Sequence, residues 1–400
     1  MQSSQTESLM SLSTVLPKLT RSRRNFDFDF DFLAETEADD QYFTVTDDNL
    51  DQIPLEVTHL RFALNFKKPL TVGLIRYGVT HLIIECLLHE QLNIGIIPNS
   101  VTHLYYDFNQ RLIAGAIPNS VIHLEFGSDF NRPLKVGDLP NGLLYLKFGW
   151  SFNQPLRVGI LPEGLTHLIF GYNFNFNEPL MVGYLPNSLL YLKFGSKFNQ
   201  QLRVGIIPEG LTHLIFGNDF NNFNEPVMVG YFPNSLLCLE FGSSFNQPLR
   251  VGILPEGLTH LIFGNDFNQS LRVGSIPNSL IHLEFGFDFK QQLTFGMIPS
   301  NLAYIKFGEF YNKRLPFNAI PDHLINSLPV NILRLISLDT KHVESVEECA
   351  ICLDKVCSII TSCNHQYCSN CIKLSMKKNR SCPYCRKVLL RQDFFMIKSN

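Results

Sequence analysis

Residues 245–264 read FNQPLRVGILPEGLTHLIFG, and residues 152–171 read the same, letter for letter. The shared phrase is one copy of a unit that runs Phe-Asn-x-x-Leu-x-x-Gly-x-Ile/Leu-Pro-x-x-Leu-x-x-Leu-x-Phe-Gly. Copies start at Phe108, Phe130, Phe152, Phe174, Phe198, Phe220, Phe245, Phe267 and Phe289, with a degenerate one at Tyr311. The period is 22 residues, stretched to 24 and 25 where a second Phe-Asn is inserted, at Phe176-Asn177 and Phe223-Asn224. Worn copies lie at Phe66 and around Leu87, and a half unit, Ile53-Pro54 to Leu60-Arg61-Phe62, opens the array. A fixed period of this length marks a stacked repeat architecture. The verbatim copy points to recent duplication of a two-unit block.

Within Leu258-Thr259-His260-Leu261-Ile262-Phe263, Leu261 and Phe263 face one way and His260 and Ile262 the other, as in a strand. Gly264 and Asn265-Asp266 signal a turn, and the Ile/Leu-Pro step excludes a regular helix. One short strand per unit, parallel to its neighbours, predicts a repeat solenoid of short parallel β-strands, leucine-rich-repeat-like and mostly strand and coil. Roughly eleven turns at about 4.8 Å each extend on the order of 50 Å. The 34 Phe and only 17% charged residues suit a large apolar interior built from one recurring side chain.

Two outward rows follow from this register. The third position of L-x-x-L-x-F reads His59, His81, His103, His123, Tyr145, His167, Tyr191, His213, Cys238, His260, His282, Tyr304. No Cys or carboxylate accompanies these His at chelating spacing, so a ladder of stacked rings is expected there and not a metal site. Such a ladder would charge and repel itself below about pH 6.5. The fifth position runs from Glu125 and Lys147 to Glu284 and Lys306 without like charges in adjacent turns. Both rows are expected on the concave face, with His167, Tyr191, His213, His260 and His282 on the surface that binds a target. Asn109, Asn131, Asn153, Asn199, Asn246 and Asn268 read as structural, their amides bonding neighbouring turns.

The recurrent Phe-Asn…Ile-Pro resembles the FNIP-repeat proteins, best known from social amoebae and giant DNA viruses. The likeness covers about 53–338. It implies a leucine-rich-repeat-like array used for protein contacts, with no family-wide catalytic residues. Residues 1–50 do not fit the repeat. Of these, 1–24 read as disordered, and the alternating Phe26 to Phe32 run reads as a cap strand over the first turn. Residues 51–338 form the solenoid, and 339–348 an acidic linker.

The last part of the chain carries chemistry. Cys349, Cys352, Cys363, His365, Cys368, Cys371, Cys382 and Cys385 supply ligands for two tetrahedral Zn2+ sites with none left over. Spacing alone leaves open whether the quartets are consecutive or interleaved. The single His in fourth place resembles the RING domain, a small α+β two-zinc fold, here 349–386. That resemblance implies Cys349, Cys352, Cys368 and Cys371 in one site and Cys363, His365, Cys382 and Cys385 in the other. It also implies contact with a ubiquitin-conjugating enzyme through Ile351 and Pro383, and a ubiquitin-positioning role for Arg386. Many members carry a large apolar residue where this chain has Ser375; Leu374 and Met376 flank it, so a shifted contact through Leu374 or Met376 is expected. The function expected is a RING-type ubiquitin-protein ligase, forming no covalent ubiquitin intermediate, whose array holds the target. The alternative is a noncatalytic zinc-binding scaffold. The tail 387–400 is basic and apolar; Phe394-Phe395-Met396-Ile397 either pairs two zinc modules or packs on its own chain.

A net charge of −3 gives no field that makes nucleic acid the default partner. From Cys349 onward nine Lys or Arg face two Asp or Glu, and thiolates and zinc bring that +7 to about +4, too little for more than weak attraction. No apolar run has membrane-spanning length, and Met1-Gln2-Ser3-Ser4 lacks the basic flank of a secretory signal. Cys86, Cys238 and Cys357 are dispersed, which suits a reducing compartment. The expectation is an intracellular, cytoplasmic protein, in the host cytoplasm if viral, with the nucleus left open.

Overall fold

Leucine at the fourth position of each unit and phenylalanine at the sixth decide which way each strand turns its faces. The computed structural model describes residues 42–399, other than 87–90, 175–179, 221–226, 317–318, 338, 344–346, 354–356 and 390–392. The repeat strands are β2 (His59–Phe62), β3 (His81–Ile84), β4 (His103–Tyr106), β5 (His123–Phe126), β6 (Tyr145–Lys147), β7 (His167–Ile169), β8 (Tyr191–Lys193), β9 (His213–Ile215), β10 (Cys238–Glu240), β11 (His260–Ile262), β12 (His282–Glu284) and β13 (Tyr304–Lys306). With β1 (Phe43–Val45) they make one 13-stranded parallel sheet in sequence order. Third position pairs with third throughout, as in His260↔His282. The inserted Phe176-Asn177 and Phe223-Asn224 lie outside the described residues, yet the register across them holds, with Ile169 opposite Lys193 and Ile215 opposite Glu240.

The inward face carries the packing. The fourth-position leucines from Leu60 to Leu283 are fully buried. The sixth-position Phe stacks on the Phe of the next Phe-Asn, as in Phe216–Phe220 at 3.8 Å, and each such pair lies over the next turn's pair, Phe216–Phe241 at 6.0 Å. The recurring residue of the composition is thus a double column of rings, and offset stacking adds to the burial of each. The columns leave no room beside the Phe-Gly carbonyl: a Cβ on Gly264 would overlap the carbonyl oxygen of Gly242 one turn below. Gly252 turns the chain with φ +82°, a conformation open to glycine. After it, Pro255 opens a tight turn closed by Leu258 N–H on its carbonyl at 3.1 Å. The Asn side chains bond neighbouring turns: Asn131 N–H donates to Asn109 Oδ1 (3.1 Å), Asn153 N–H to Asn131 Oδ1 (3.0 Å) and Asn268 N–H to Asn246 Oδ1 (2.9 Å).

Both ends of the stack are covered. At the start β1 adds a strand from outside the repeat, pairing Phe43 with Leu60. The Phe26 to Phe32 run, read as the cap, lies outside the described residues. At the far end β14 (Leu315–Pro316) pairs with β15 (Ile336–Ser337), and α1 (Val330–Leu333) lies between them in sequence. Leu315, Ile320, Leu324, Leu328 and Ile332 are buried there and extend the same core.

The second region contains β16 (Asp339–Val343), β17 (Ile359–Thr361), β18 (Gln366–Tyr367), α2 (Ser369–Lys378) and β19 (Phe394–Ser399), its sheet ordered β16-β19-β17-β18. Two boundaries read from the sequence change here. Residues 339–343, within the expected linker 339–348, form a strand parallel to β19. The tail 387–400, of which 394–399 form β19, pairs with β16 and β17 of its own chain, and Leu389 and Phe394 are buried with the cysteines. The physical reason is size: the segment between the first and last ligands has too little apolar surface to close a core alone. No helix among the described residues is long and apolar enough to cross a membrane.

Candidate functional site

The eight ligand residues fall into two groups, each with donor atoms within 4.8 Å of one another: Cys349, Cys352, Cys368, Cys371 and Cys363, His365, Cys382, Cys385. The groups interleave along the chain, which removes the consecutive assignment. Cys352 and Cys368 Sγ are 3.8 Å apart, and His365 Nδ1 lies 3.4 Å from Cys363 Sγ and 3.5 Å from Cys382 Sγ. A tetrahedral ion with metal–sulfur bonds of about 2.3 Å and metal–nitrogen bonds of about 2.0 Å has edges of about 3.8 and 3.5 Å. Two closed sites with seven sulfurs and one imidazole therefore fit zinc.

Two equivalent turns deliver the paired cysteines. Leu353 N–H donates to Cys349 O, and Arg386 N–H to Cys382 O, both at 2.8 Å, with Leu353 and Arg386 left-handed at φ 53° and 60°. Burial raises the Cys349 thiol, but N–H groups of Cys368, Cys352 and Ile351 overcome this and bring it to about 6. Burial likewise opposes, and the N–H groups of Cys385 and Tyr384 with the Tyr367 hydroxyl bring down, the Cys382 thiol, again to about 6. The turns thus favour thiolate, the form a metal takes.

The second site has two further hydroxyl partners that ligand spacing did not reveal. Tyr367 Oη accepts from Tyr384 N–H at 3.2 Å and lies 3.1 Å from Cys382 Sγ, so its own proton points at the sulfur. Thr361, fully buried, holds His365 N–H at 3.2 Å and lies 3.1 Å from Cys363 Sγ. The Thr361 hydroxyl donates to His365 O at 3.1 Å, and such hydrogen bonds around the ligands fix their orientation and tune affinity.

Around this centre Ile351, Leu374, Pro383 and Arg386 are all exposed, Leu374 by 64%. Ile351 and Pro383 lie on the two cysteine turns, and Leu374 on the outer side of α2. Ile372 and Met376, four apart, pack inward, so Met376 is not part of the outer surface. Ser375 is half-buried.

On the array, the ring ladder exists. His59–His81, His81–His103 and His123–Tyr145 stack at 4.2, 4.3 and 4.0 Å. The residue before each His sets its tautomer. Thr166 donates its hydroxyl to Leu144 O of the previous turn, and its oxygen lies 2.9 Å from His167 Nδ1, so Nδ1 carries the hydrogen. Thr212–His213 and Thr259–His260 repeat this. Where Ile122 or Ile281 replaces Thr, Nε2 instead meets Glu125 or Glu284 at 3.0 Å, and Lys147 (3.7 Å) or Lys306 (2.8 Å) pairs with that carboxylate. The His282 hydrogen bond, opposed by burial and helped by Lys306, lowers the Glu284 carboxyl.

Two expectations about this face change. Tyr191 is 4% exposed, sandwiched between His167 and His213 and grouped with Tyr145, Ile169 and Ile215, so it offers a partner almost nothing. His167, His213, His260 and His282 stay half-buried. Six imidazoles of the ladder are also held below the ordinary histidine value, so they do not charge at pH 6.5. Burial, then neighbouring histidines, lower His81 and His103 to about 4, and burial lowers His59, His167, His213 and His260.

Comparison with known proteins agrees with both regions. The FNIP Repeat family model matches nine segments between residues 89 and 326, and the Ring finger domain model matches 347–386. The chain is 39% identical over 46 residues to RING finger protein 141 of Bos taurus and of Homo sapiens, over 12% of this chain. It spans only 20% of those relatives' length. Among solved structures, CroV588, described as a novel circular LRR protein, superposes with TM-score 0.55 at 33% identity, over 72% of this chain and 51% of that one.

Proposed function

As the chain belongs to the FNIP-repeat family and ends in a ring finger domain, we propose that it is a RING-type ubiquitin-protein ligase. In this reading two Zn2+ ions, held by the interleaved quartets, lock the module as a docking head. Ile351, Pro383 and Leu374 receive a ubiquitin-conjugating enzyme, and the sheet face of the array holds a protein target. Arg386 presents a guanidinium from the second cysteine turn to the linked ubiquitin, where its fixed fork of donors restrains the thioester in a reactive pose. The acceleration comes from orientation, with no ubiquitin passed to this chain. The protein acts in the cytoplasm, where free thiols persist.

The observation that carries the proposal is that Ile351, Leu374 and Pro383 are exposed around the metal centre and do not fill its core. Ser375, where a large apolar side chain is common in such domains, favours a noncatalytic scaffold as the second reading. A discharge assay separates the two, using full-length protein, charged conjugating enzyme and free lysine. Wild type should speed ubiquitin release, and Ile351→Ala and Arg386→Ala should each lose most of that gain. Equal, slow release by all three would leave the scaffold reading.

A further inference from the structure

Between each Phe-Gly and the next Phe-Asn lie two variable residues, and backbone hydrogen bonds join these loops from turn to turn. Ser151 N–H donates to Ser128 O (3.0 Å), Asn173 N–H to Trp150 O and Lys197 N–H to Tyr172 O (both 2.9 Å), and Asp219 N–H to Ser196 O (2.8 Å). The ladder sets Ser128, Trp150, Tyr172 and Ser196 one above another along the edge of the sheet.

Trp150, the one tryptophan of the chain, stacks on Tyr172 with centroids 4.2 Å apart and planes 8° from parallel. On the far side of Tyr172, Lys197 Nζ sits 5.6 Å from the ring centroid and 3.1 Å from Asp219. A lysine also meets a ring and a carboxylate where Lys290, the residue after Phe289, has its Nζ 5.5 Å from the Phe310 centroid and 3.6 Å from Asp288. Along this edge of the array a cation is thus twice set near both an aromatic ring and a carboxylate.

At Trp150 the ring and the carboxylate are present without the cation. The indole is 56% exposed although Tyr172 covers one face, and the preceding turn carries only the short Ser128 at the equivalent loop position. The Ser128 hydroxyl donates to Asp129 Oδ1 at 3.3 Å and steadies that exposed carboxylate in the same loop. Among the described residues Asp129 has no ion pair and Trp150 has no cation over it.

We propose that Trp150 and Asp129 form a receptor for an arginine side chain presented by the target of the array. The proposal rests on the array being the target-holding part. Arginine is favoured over lysine because a planar guanidinium stacks on an indole while donating in its plane to a carboxylate. One turn of about 4.8 Å is enough for it to lie over Trp150 at the level of Asp129.

Because the chain has a single tryptophan, its emission reports this site directly. Full-length protein is titrated at constant ionic strength with N-acetyl-arginine amide, and in parallel with the neutral, planar N-acetyl-citrulline amide. The expected result is a saturable emission change with the arginine probe alone, and an Asp129→Asn half-saturation at least roughly threefold higher, as loss of one surface ion pair gives. Linear quenching by both probes, or an unchanged half-saturation in Asp129→Asn, would overturn the proposal. No ubiquitin component enters the assay, so its failure is distinct from failure in the discharge test.

Discussion

From Val45 to Ile332 the array keeps one extended apolar core, whereas the core cluster of the module from Cys349 to Phe394 has nine buried members among the described residues, four of them cysteines. In the array each turn is held by its two neighbours, through rings, Asn amides and strand pairing, so stability is spread along the stack. In the module so small a core cannot offset the entropy of folding alone, so on the proposed two-zinc reading stability would be concentrated at the two ligand clusters. One chain thus combines a part that tolerates local loss with a part that does not.

The largest test of this contrast is metal removal. In the proposed two-zinc module each Zn2+ would contribute roughly 10–16 kcal/mol of apparent folding free energy. Chelation should therefore abolish amide protection over 349–399 while protection over the array strands persists, as hydrogen exchange on one sample would show. Protection retained in the module after zinc is gone would break the comparison.

Next comes a hole in the Phe columns. Phe216→Ala should destabilise the array by about 3–5 kcal/mol, read as a lower denaturant midpoint. Exchange should rise mainly in β8, β9 and β10, with the zinc module unaffected. Uniform loss across the stack would mean the array behaves as one cooperative block.

Smaller still is Tyr367→Phe, which removes the hydroxyl facing Cys382 Sγ. The second site should hold zinc on the order of tenfold more weakly, seen as faster transfer of one of two ions to a chromophoric chelator. The first site serves as the internal control.

The smallest effect is expected from the ring ladder. In the folded array His81 and His103 titrate near 4, against 6.5 when free. Between those values the unfolded chain binds more protons, so this stability is fully present above pH 6.5 and is lost as pH falls toward 4. Both rings are partly solvated, which limits the loss to on the order of 1 kcal/mol each. Chemical denaturation at pH 7 and pH 5 measures it, and His81→Phe should reduce the difference.

The parts legible in the sequence are those that repeat or that obey ligand spacing. The twelve strands from His59 to Tyr304 sit where the L-x-x-L-x-F phrase put them, because alternation of buried and half-buried positions is a local property. The metal quartets were legible as a set, and the position of His365 pointed to their interleaving. What stayed hidden depends on partners distant in sequence. Nothing local in Asp339–Val343 announces that it pairs with Phe394–Ser399. Tyr191 looked like a surface residue because third positions point outward, but flanking Ile169 and Ile215 enclose it. The ladder's hydrogen bonding does carry a local sign: Ile precedes His123 and His282 where Glu follows two residues later, and Thr precedes the ladder histidines without that Glu. That three-letter difference encodes which imidazole nitrogen bears the proton. Tyr367 and Thr361 gave no such sign, since hydroxyls between ligands follow no spacing rule.

Finally, β1 and the 315–337 segment seal the stack with pieces that are not themselves repeats. New turns can then enter only in the interior, where any whole unit meets surfaces identical to those it brings. Gene duplication can lengthen or shorten the array in such steps, as the twin 152–171 and 245–264 stretches record, without rewriting either capping segment or the ring finger domain. The lids make the middle the chain's evolutionary growth zone.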